Sequence, residues 1–231
     1  MKKIQSLFQR NQTRNYEGDR LVRDEVVPGS EWVLAGEGTP TRKFDGTCCL
    51  TRDGRLWKRY EVKRGKKPPE GFDSTGDVDP VTGKQQGWVL VGDGPEDRWH
   101  REAFARKEDH QKYPFDGTYE LCGPKIQGNP EGFETHRLVR HGAEVIQGLP
   151  DPITYFELYR WFLQEGGVEG IVWHHDDGRM VKIKAKDFGI RRDGIGDYLD
   201  LPRRGCMTVC LDGEYDKNDL SEILEYLIRI S

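Results

Sequence analysis

A lysine followed by a short acidic turn is the feature of this sequence that could do covalent chemistry. Lys43-Phe44-Asp45-Gly46-Thr47 stands between a Gly/Thr/Pro-rich approach and the apolar run Cys48-Cys49-Leu50. An amine attacks only through its free lone pair, so a lysine kept unprotonated by its surroundings can act as a nucleophile. Asp45 adds a carboxylate, and Gly46 lets the backbone approach a ligand without a Cβ in the way. Alone, K-x-D-G also fits an ordinary turn that enters a strand.

Five further charged residues could complete a site around this lysine. Each stands inside or beside an apolar, strand-like run, and in chain order they are Arg59, Glu120, Glu169, Lys182 and Lys184. Each short motif recurs by chance and fits a solvated surface, so their interpretation depends on the elements that position them.

Two hairpins are predicted to bring these residues together. Asp53-Gly54 between the runs 47–52 and 55–62 is a strong hairpin signal, and this pairing would return Arg59 beside the lysine strand. A second hairpin, 169–173 and 180–184, turns at Asp176-Asp177-Gly178. Period two then puts Lys182 and Lys184 on one face of their strand.

The other elements are predicted from shorter patterns. Residues 1–35, including Trp32-Val33-Leu34, are expected to form strands and loops, and residues 65–87 an exposed loop. Strands are expected at 88–91 and from Gly117. A helix is expected over 152–164 behind Asp151-Pro152, and an amphipathic helix at about 218–230.

Composition indicates a soluble chain. Of the 231 residues, 33% are charged, the mean hydropathy is -0.81, and no apolar run approaches the roughly 20 residues of a membrane span. No signal peptide is recognised, because the polar stretch Gln9-Arg10-Asn11-Gln12 follows the basic start. Five cysteines without a C-x-x-C pair favour reduced thiols and a cytoplasmic location over a disulfide framework or a zinc site.

The net charge of -4 conceals two basic segments. Residues 52–67 carry eight Lys or Arg against two acidic residues, and residues 179–192 carry six against one. Basic islands in an acidic chain favour a focused anionic ligand or a phosphate backbone.

In this order, the motifs resemble those of the covalent nucleotidyltransferases, the superfamily of ATP-dependent ligases and GTP-dependent mRNA capping enzymes. DNA ligases and capping enzymes usually continue K-x-D-G-x-R, but Cys48 occupies the arginine position here. The sequence more closely resembles the small autoadenylylating 5′–3′ RNA ligases typified by the vertebrate enzyme, at Asp-Gly-Thr-Cys-Cys, Leu-Trp-Lys-Arg, the stretch 123–130 that ends in Gly-Asn-Pro, residues 140–143 and Glu-Gly-Ile-Val-Trp-His. The resemblance runs roughly from residue 30 to residue 190.

The resemblance implies that Lys43 attacks the α-phosphate of ATP, expels pyrophosphate and carries AMP. Lys182, Lys184 and a divalent metal would lower the pKa of Lys43 by like-charge pressure. The same cations would stabilise the negative charge on the transferring phosphate.

The resemblance also implies nucleotide contacts for Arg59, Asp45, Gly46, Glu120 and Glu169. Arg59 would clamp the ribose or a phosphate with its fork. Glu120 and Glu169 would contact the ribose or ligate Mg²⁺ or Mn²⁺, since hard cations prefer oxygen. Asp45 would orient the 3′-hydroxyl or a metal. Many RNA ligases stack adenine on an aromatic residue at the position of residues 138–141. Here His141 would stack on the base, or an aliphatic side chain of this window would pack against it.

The implied fold is an α+β nucleotidyltransferase (ATP-grasp-like ligase) domain of two antiparallel sheets with flanking helices. We expect one domain over residues 1–231, with a core at about 30–190 and a C-terminal extension that carries the helix at about 218–230. The 47 residues after Lys184 are expected to be too few for an appended OB-fold.

The predicted function is an ATP-dependent RNA ligase that joins 5′-phosphate and 3′-hydroxyl RNA ends through lysyl-AMP and RNA-adenylate, as in RNA repair. RNA is the expected partner, with neither a membrane nor an obligate protein partner. The alternatives are a capping-type or DNA ligase nucleotidyltransferase domain, and an inactive module that binds nucleotide or RNA ends.

Overall fold

The computed structural model describes residues 4–11, 21–106 and 116–192, which form a strand-rich α+β structure as predicted. Its strands are β1 (Gln5–Ser6), β2 (Phe8–Arg10), β3 (Val22–Val26), β4 (Thr39–Lys43), β5 (Thr47–Arg52), β6 (Arg55–Val62), β7 (Asp73–Ser74), β8 (Gln85–Leu90), β9 (Gly117–Cys122), β10 (Arg137–Arg140), β11 (Gly170–His174) and β12 (Met180–Lys184). Its helices are α1 (Glu31–Leu34), α2 (Arg98–Phe104) and α3 (Tyr155–Glu165), with 3₁₀ turns at Pro95–Asp97 and Ala185–Phe188. Within these ranges, none of the helices is long and apolar enough to cross a bilayer.

Two sheets hold the motif residues. The six-stranded sheet is antiparallel with the order β10-β9-β5-β6-β8-β7, and the four-stranded sheet has the order β1-β12-β11-β4. Among the strands of the described residues, β1 alone departs from the expected antiparallel pairing and runs parallel to β12. A small ribbon of β2 and β3 completes the pairing. Because β4 and β5 lie on either side of the K-x-D-G turn but join different sheets, this turn links the two sheets.

Both predicted hairpins form at the predicted turns. Asp53 and Gly54 have φ of 52° and 66°, the positive values that a type I′ turn between β5 and β6 requires. In the second hairpin, β11 and β12 pair with Gly170 opposite Lys184. Val181 and Ile183 of β12 are buried, while Lys182 and Lys184 alternate with them on the other face.

Each sheet has its own apolar core. The four-stranded sheet packs against α1 and α3 through residues such as Trp32, Leu158, Ile171 and Ile183. The six-stranded sheet buries its other core against α2, with members Cys49, Leu56, Ala103, Tyr119, Leu121 and Leu138. By the alternation of strand side chains, Cys48 and Glu120 point away from this second core.

Several local predictions were wrong or incomplete. The predicted loop 65–87 contains β7 and the start of β8. Residues 31–34 form a helix, because neighbouring Trp32 and Val33 are both buried on one side, which a strand would not allow. Helix α3 begins later than expected, since the Thr154 hydroxyl accepts from the Glu157 N–H at 3.2 Å and so caps the helix there. Helix α2 was not predicted. The predicted helix at 218–230 lies outside the described residues.

Candidate active site

Lys43 is the last residue of β4, and its ammonium group meets the carboxylate of Glu169. The Lys43 Nζ donates to Glu169 Oε2 at 2.6 Å, and Lys184 forms an ion pair with the other oxygen, Oε1. The register explains this convergence, because Gly170 of β11 lies opposite both Lys43 of β4 and Lys184 of β12. Glu169, just before β11, therefore lies between the two lysines and is only 9% exposed.

The predicted lowering of the pKa of Lys43 is wrong for this arrangement. Burial disfavours the ammonium, but the charges of Glu169, Glu120 and Asp45 outweigh it and raise the pKa of Lys43. The like-charge pressure acts on Lys182 instead. Burial, followed by the charges of Lys184 and Lys43, lowers the pKa of Lys182 to about 8.

Glu120 is tied to the backbone of the K-x-D-G turn. Its Oε1 accepts from the Gly46 N–H at 3.1 Å. A Cβ on Gly46 would lie 2.2 Å from the Leu121 carbonyl oxygen and 3.0 Å from the Cys122 sulfur. The structure thus requires glycine here for the close approach of strand β9.

Asp45 lies at the edge of this group, with a side chain that is 39% exposed. Its Oδ2 is 3.6 Å from Arg192 Nη1. Burial and the charge of Glu169 raise the pKa of Asp45, against the opposing charges of Arg192 and Lys43. An exposed carboxylate beside the turn is available for a ligand.

Glu131 is a site residue that the sequence reasoning missed. Its carboxylate is 1% exposed, and Oε1 accepts from the Asp45 N–H at 2.8 Å. The same carboxylate pairs with Arg42 Nη2 at 2.9 Å and with Arg192 Nη2 at 2.7 Å. Glu131 thereby ties the Lys43 turn to β4 and to residue 192. Its only sequence signal was its place directly after the Gly-Asn-Pro stretch that resembles the RNA ligases.

Arg59 lies on β6, and its described contacts lead away from Lys43. Its Nε donates to Gln86 Oε1 at 3.1 Å, and its guanidinium carbon lies 5.5 Å from the centre of the Trp88 ring. It is close enough to Cys48 for its charge to oppose the rise in the pKa of that thiol. The structure therefore places Arg59 beside the Cys48–Glu120 face, without a described contact to the Lys43–Glu169 pair.

The window expected to contact adenine is partly used for other purposes. Leu138 is 3% exposed and belongs to the second core, so it is not available to a base. His141 Nε2 lies 2.8 Å from Glu120 Oε2. Val139 is paired opposite Glu120 in the sheet. Within residues 138–141, the side chains still available to contact adenine are therefore His141 and Val139, both beside Glu120.

The two basic islands contribute differently. In the first, Arg52 pairs with Asp73 and Lys58 with Asp97, while Arg55 and residues 63–67 are exposed to solvent. The second island supplies Lys182 and Lys184 to the site. It also lines a cavity of about 640 Å³ whose walls include Asp45, Glu169, Lys186, Arg191 and Arg192. A cavity with both carboxylates and cations on its walls opens directly beside Glu169.

Comparisons with known proteins agree with the sequence resemblance. A family model described as RNA ligase 1 matches residues 112–226. RNA ligase 1 of Danio rerio is 41% identical over 90 residues, which are 36% of this chain and 27% of that protein. RNA ligase 1 of Pongo abelii is 40% identical over 80 residues, 32% of this chain and 24% of that protein. The chain thus covers about a quarter of the length of these curated relatives.

Proposed function

We propose that this chain, which is similar to the RNA ligase 1 family over residues 112–226, seals RNA ends through an AMP carried on Lys43. The observation that carries the proposal is the convergence of Lys43 and Lys184 on the buried carboxylate of Glu169. A partly buried lysine at a strand end, beside a carboxylate and further cations, has the groups that a phosphoryl transfer needs for attack and charge stabilisation.

The proposed first step forms one bond and breaks one. Lys43 Nζ attacks the α-phosphorus of ATP, the P–O bond to the β-phosphate breaks, and pyrophosphate leaves while the amine loses a proton. The charges of Lys182 and Lys184 stabilise the phosphoryl oxygens during transfer. AMP is then passed to a 5′-phosphate of RNA, and a 3′-hydroxyl attacks the resulting RNA-adenylate and releases AMP.

A divalent cation fits the carboxylates of the site. Glu169 and Glu120 are the residues that would hold Mg²⁺ or Mn²⁺, since their oxygens match the preference of hard cations. A cation held by Glu169 supplies a positive charge that competes with the Lys43 ammonium for this carboxylate and lowers the pKa of the lysine. Because Glu169 raises the pKa of Lys43, such a competing charge is needed before this lysine becomes a free amine.

The proposed nucleotide groups lie on two neighbouring surfaces. Glu120, held to Gly46 N–H, offers an acceptor for a ribose hydroxyl, and Arg59 offers a guanidinium on the same face of the six-stranded sheet. The cavity beside Glu169, with Lys186, Arg191 and Arg192 on its walls, suits an RNA phosphate. The placement of the nucleotide groups on the six-stranded sheet and of Lys43 and Glu169 on the four-stranded sheet supports the proposal of a nucleotidyltransferase fold that binds its nucleotide between the two sheets.

The experiment is covalent labelling with radiolabelled ATP or GTP and a divalent metal, followed by a denaturing gel. We expect ATP to label the wild-type chain and a variant at an exposed lysine, Lys66→Ala, but not Lys43→Ala. Labelling of Lys43→Ala at the wild-type level would refute the mechanism. Preference for GTP would favour the capping class, and nucleotide binding without labelling would favour an inactive binding module.

A further inference from the structure

Three potential metal ligands of different chemistry meet on the face of the six-stranded sheet that points away from its core. Cys48 of β5 lies opposite Glu120 of β9, and β10 lies beside β9 on its other edge. His141 follows β10 directly, and its backbone N–H donates to the Thr118 carbonyl at 3.1 Å. The register therefore brings three neighbouring strands to present a thiol, a carboxylate and an imidazole side by side.

The ligand atoms of this cluster are already close to one another. The sulfur of Cys48, a carboxylate oxygen of Glu120 and a ring nitrogen of His141 all lie within 4.8 Å of each other. His141 Nε2 and Glu120 Oε2 are 2.8 Å apart. A tetrahedral Zn²⁺ site, with metal–ligand distances of about 2.0–2.3 Å, needs ligand separations of roughly 3.3–3.8 Å, so small side-chain adjustments suffice.

We propose that Cys48, Glu120 and His141 form a binding site for a thiophilic divalent cation such as Zn²⁺. This site shares Glu120 with the proposed Mg²⁺ or Mn²⁺ site but takes a different metal, because thiolate and imidazole ligands select borderline metals while hard cations prefer oxygen alone. Three protein ligands leave a fourth position open for water or another ligand, as in zinc sites that are not purely structural.

Charge balance permits the site despite nearby cations. A Cys48 thiolate and a Glu120 carboxylate together offset the two positive charges of the metal, so the loaded site is neutral to Lys43 and Arg59. Metal binding displaces the thiol proton of Cys48 to solvent, and a neutral His141 with Nε2 as the ligand carries its proton on Nδ1.

The test is titration of the metal-free full chain with Co²⁺, followed by its displacement with Zn²⁺. We expect absorption from thiolate-to-cobalt charge transfer in the wild type. The band should disappear in Cys48→Ser, and Co²⁺ affinity should fall at least tenfold in His141→Asn. The matched control is Cys122→Ser, the same substitution at a buried thiol of β9 outside the cluster, which should keep the band. Circular dichroism establishes that each variant is folded.

Two results would overturn the proposal. The first is a wild-type chain without thiolate-linked Co²⁺ binding at millimolar metal, which would mean that His141 only orients Glu120. The second is a band that survives in Cys48→Ser, which would assign the metal to other thiols of the chain. Neither readout depends on adenylylation, so failure of the metal site is distinguishable from failure of the proposed ligase activity.

Discussion

Glu131→Gln is the substitution that best tests how the Lys43 turn is held. The change keeps the shape and an oxygen acceptor for the Asp45 N–H, but it removes the charge that pairs with Arg42 and Arg192. We expect the turn to lose its position, and the protein to lose stability, because two guanidinium groups are left without their buried partner.

The expected loss follows from burial. Removing one partner of a buried ion pair costs about 3–5 kcal/mol. Arg42 and Arg192 are 29% and 20% exposed, so water relieves part of the penalty and the low end, about 3 kcal/mol, applies. Glu144 is the matched control, since it also pairs with Arg42, at 3.3 Å, but is 51% exposed. Glu144→Gln should cost at most about 1 kcal/mol.

Urea unfolding gives the free energies, and the rate of Lys43 labelling by ATP is measured below the onset of unfolding. Glu131→Gln should lose stability and label more slowly, while Glu144→Gln should match the wild type in both. Equal unfolding free energies for the two variants would refute the reasoning. A large stability loss with an unchanged labelling rate would reduce Glu131 to a purely structural role.

Three further outcomes are expected. Gly46→Ala should abolish labelling and destabilise the fold by roughly 1–3 kcal/mol, since the added Cβ meets the Leu121 carbonyl. Gly76→Ala is the control, because the space around its Cβ is open. Equal labelling and equal unfolding free energy for the two variants would contradict the packing argument. Because the pKa of Lys182 is about 8 when folded and near 10.5 when unfolded, the unfolded chain holds more protons between these values, so this residue's contribution to stability rises with pH there. Lys182→Met should therefore be more stable than the wild type at pH 7 and lose this advantage by pH 10. If the difference in the free energy of urea unfolding between the two proteins did not change with pH, this prediction would be wrong. Sealing of pre-adenylylated ends should require ribose at the 3′-hydroxyl terminus, and equal rates with deoxyribose would remove the RNA-specific proposal.

The local elements that carry the motifs could be predicted from sequence because their signals are short in range. Asp53-Gly54 specified the first hairpin through two residues that tolerate positive φ. Alternation along β12 separated Lys182 and Lys184 from buried Val181 and Ile183. Helix α1 escaped prediction because its four residues are too few for a helical period to show.

The order of the motifs by itself determined the family resemblance and named Lys43, Glu120 and Glu169 as candidates. The tertiary structure alone decided how they interact, because charges act through space between residues far apart in the chain. Glu169, 126 positions from Lys43, raises the pKa of that lysine where like-charge pressure was expected to lower it. The burial of Glu131, and the meeting of Cys48 with Glu120 and His141, likewise depend on which strands become neighbours. Pairing between strands that are distant in the sequence is set by long-range packing, and no local pattern encodes it.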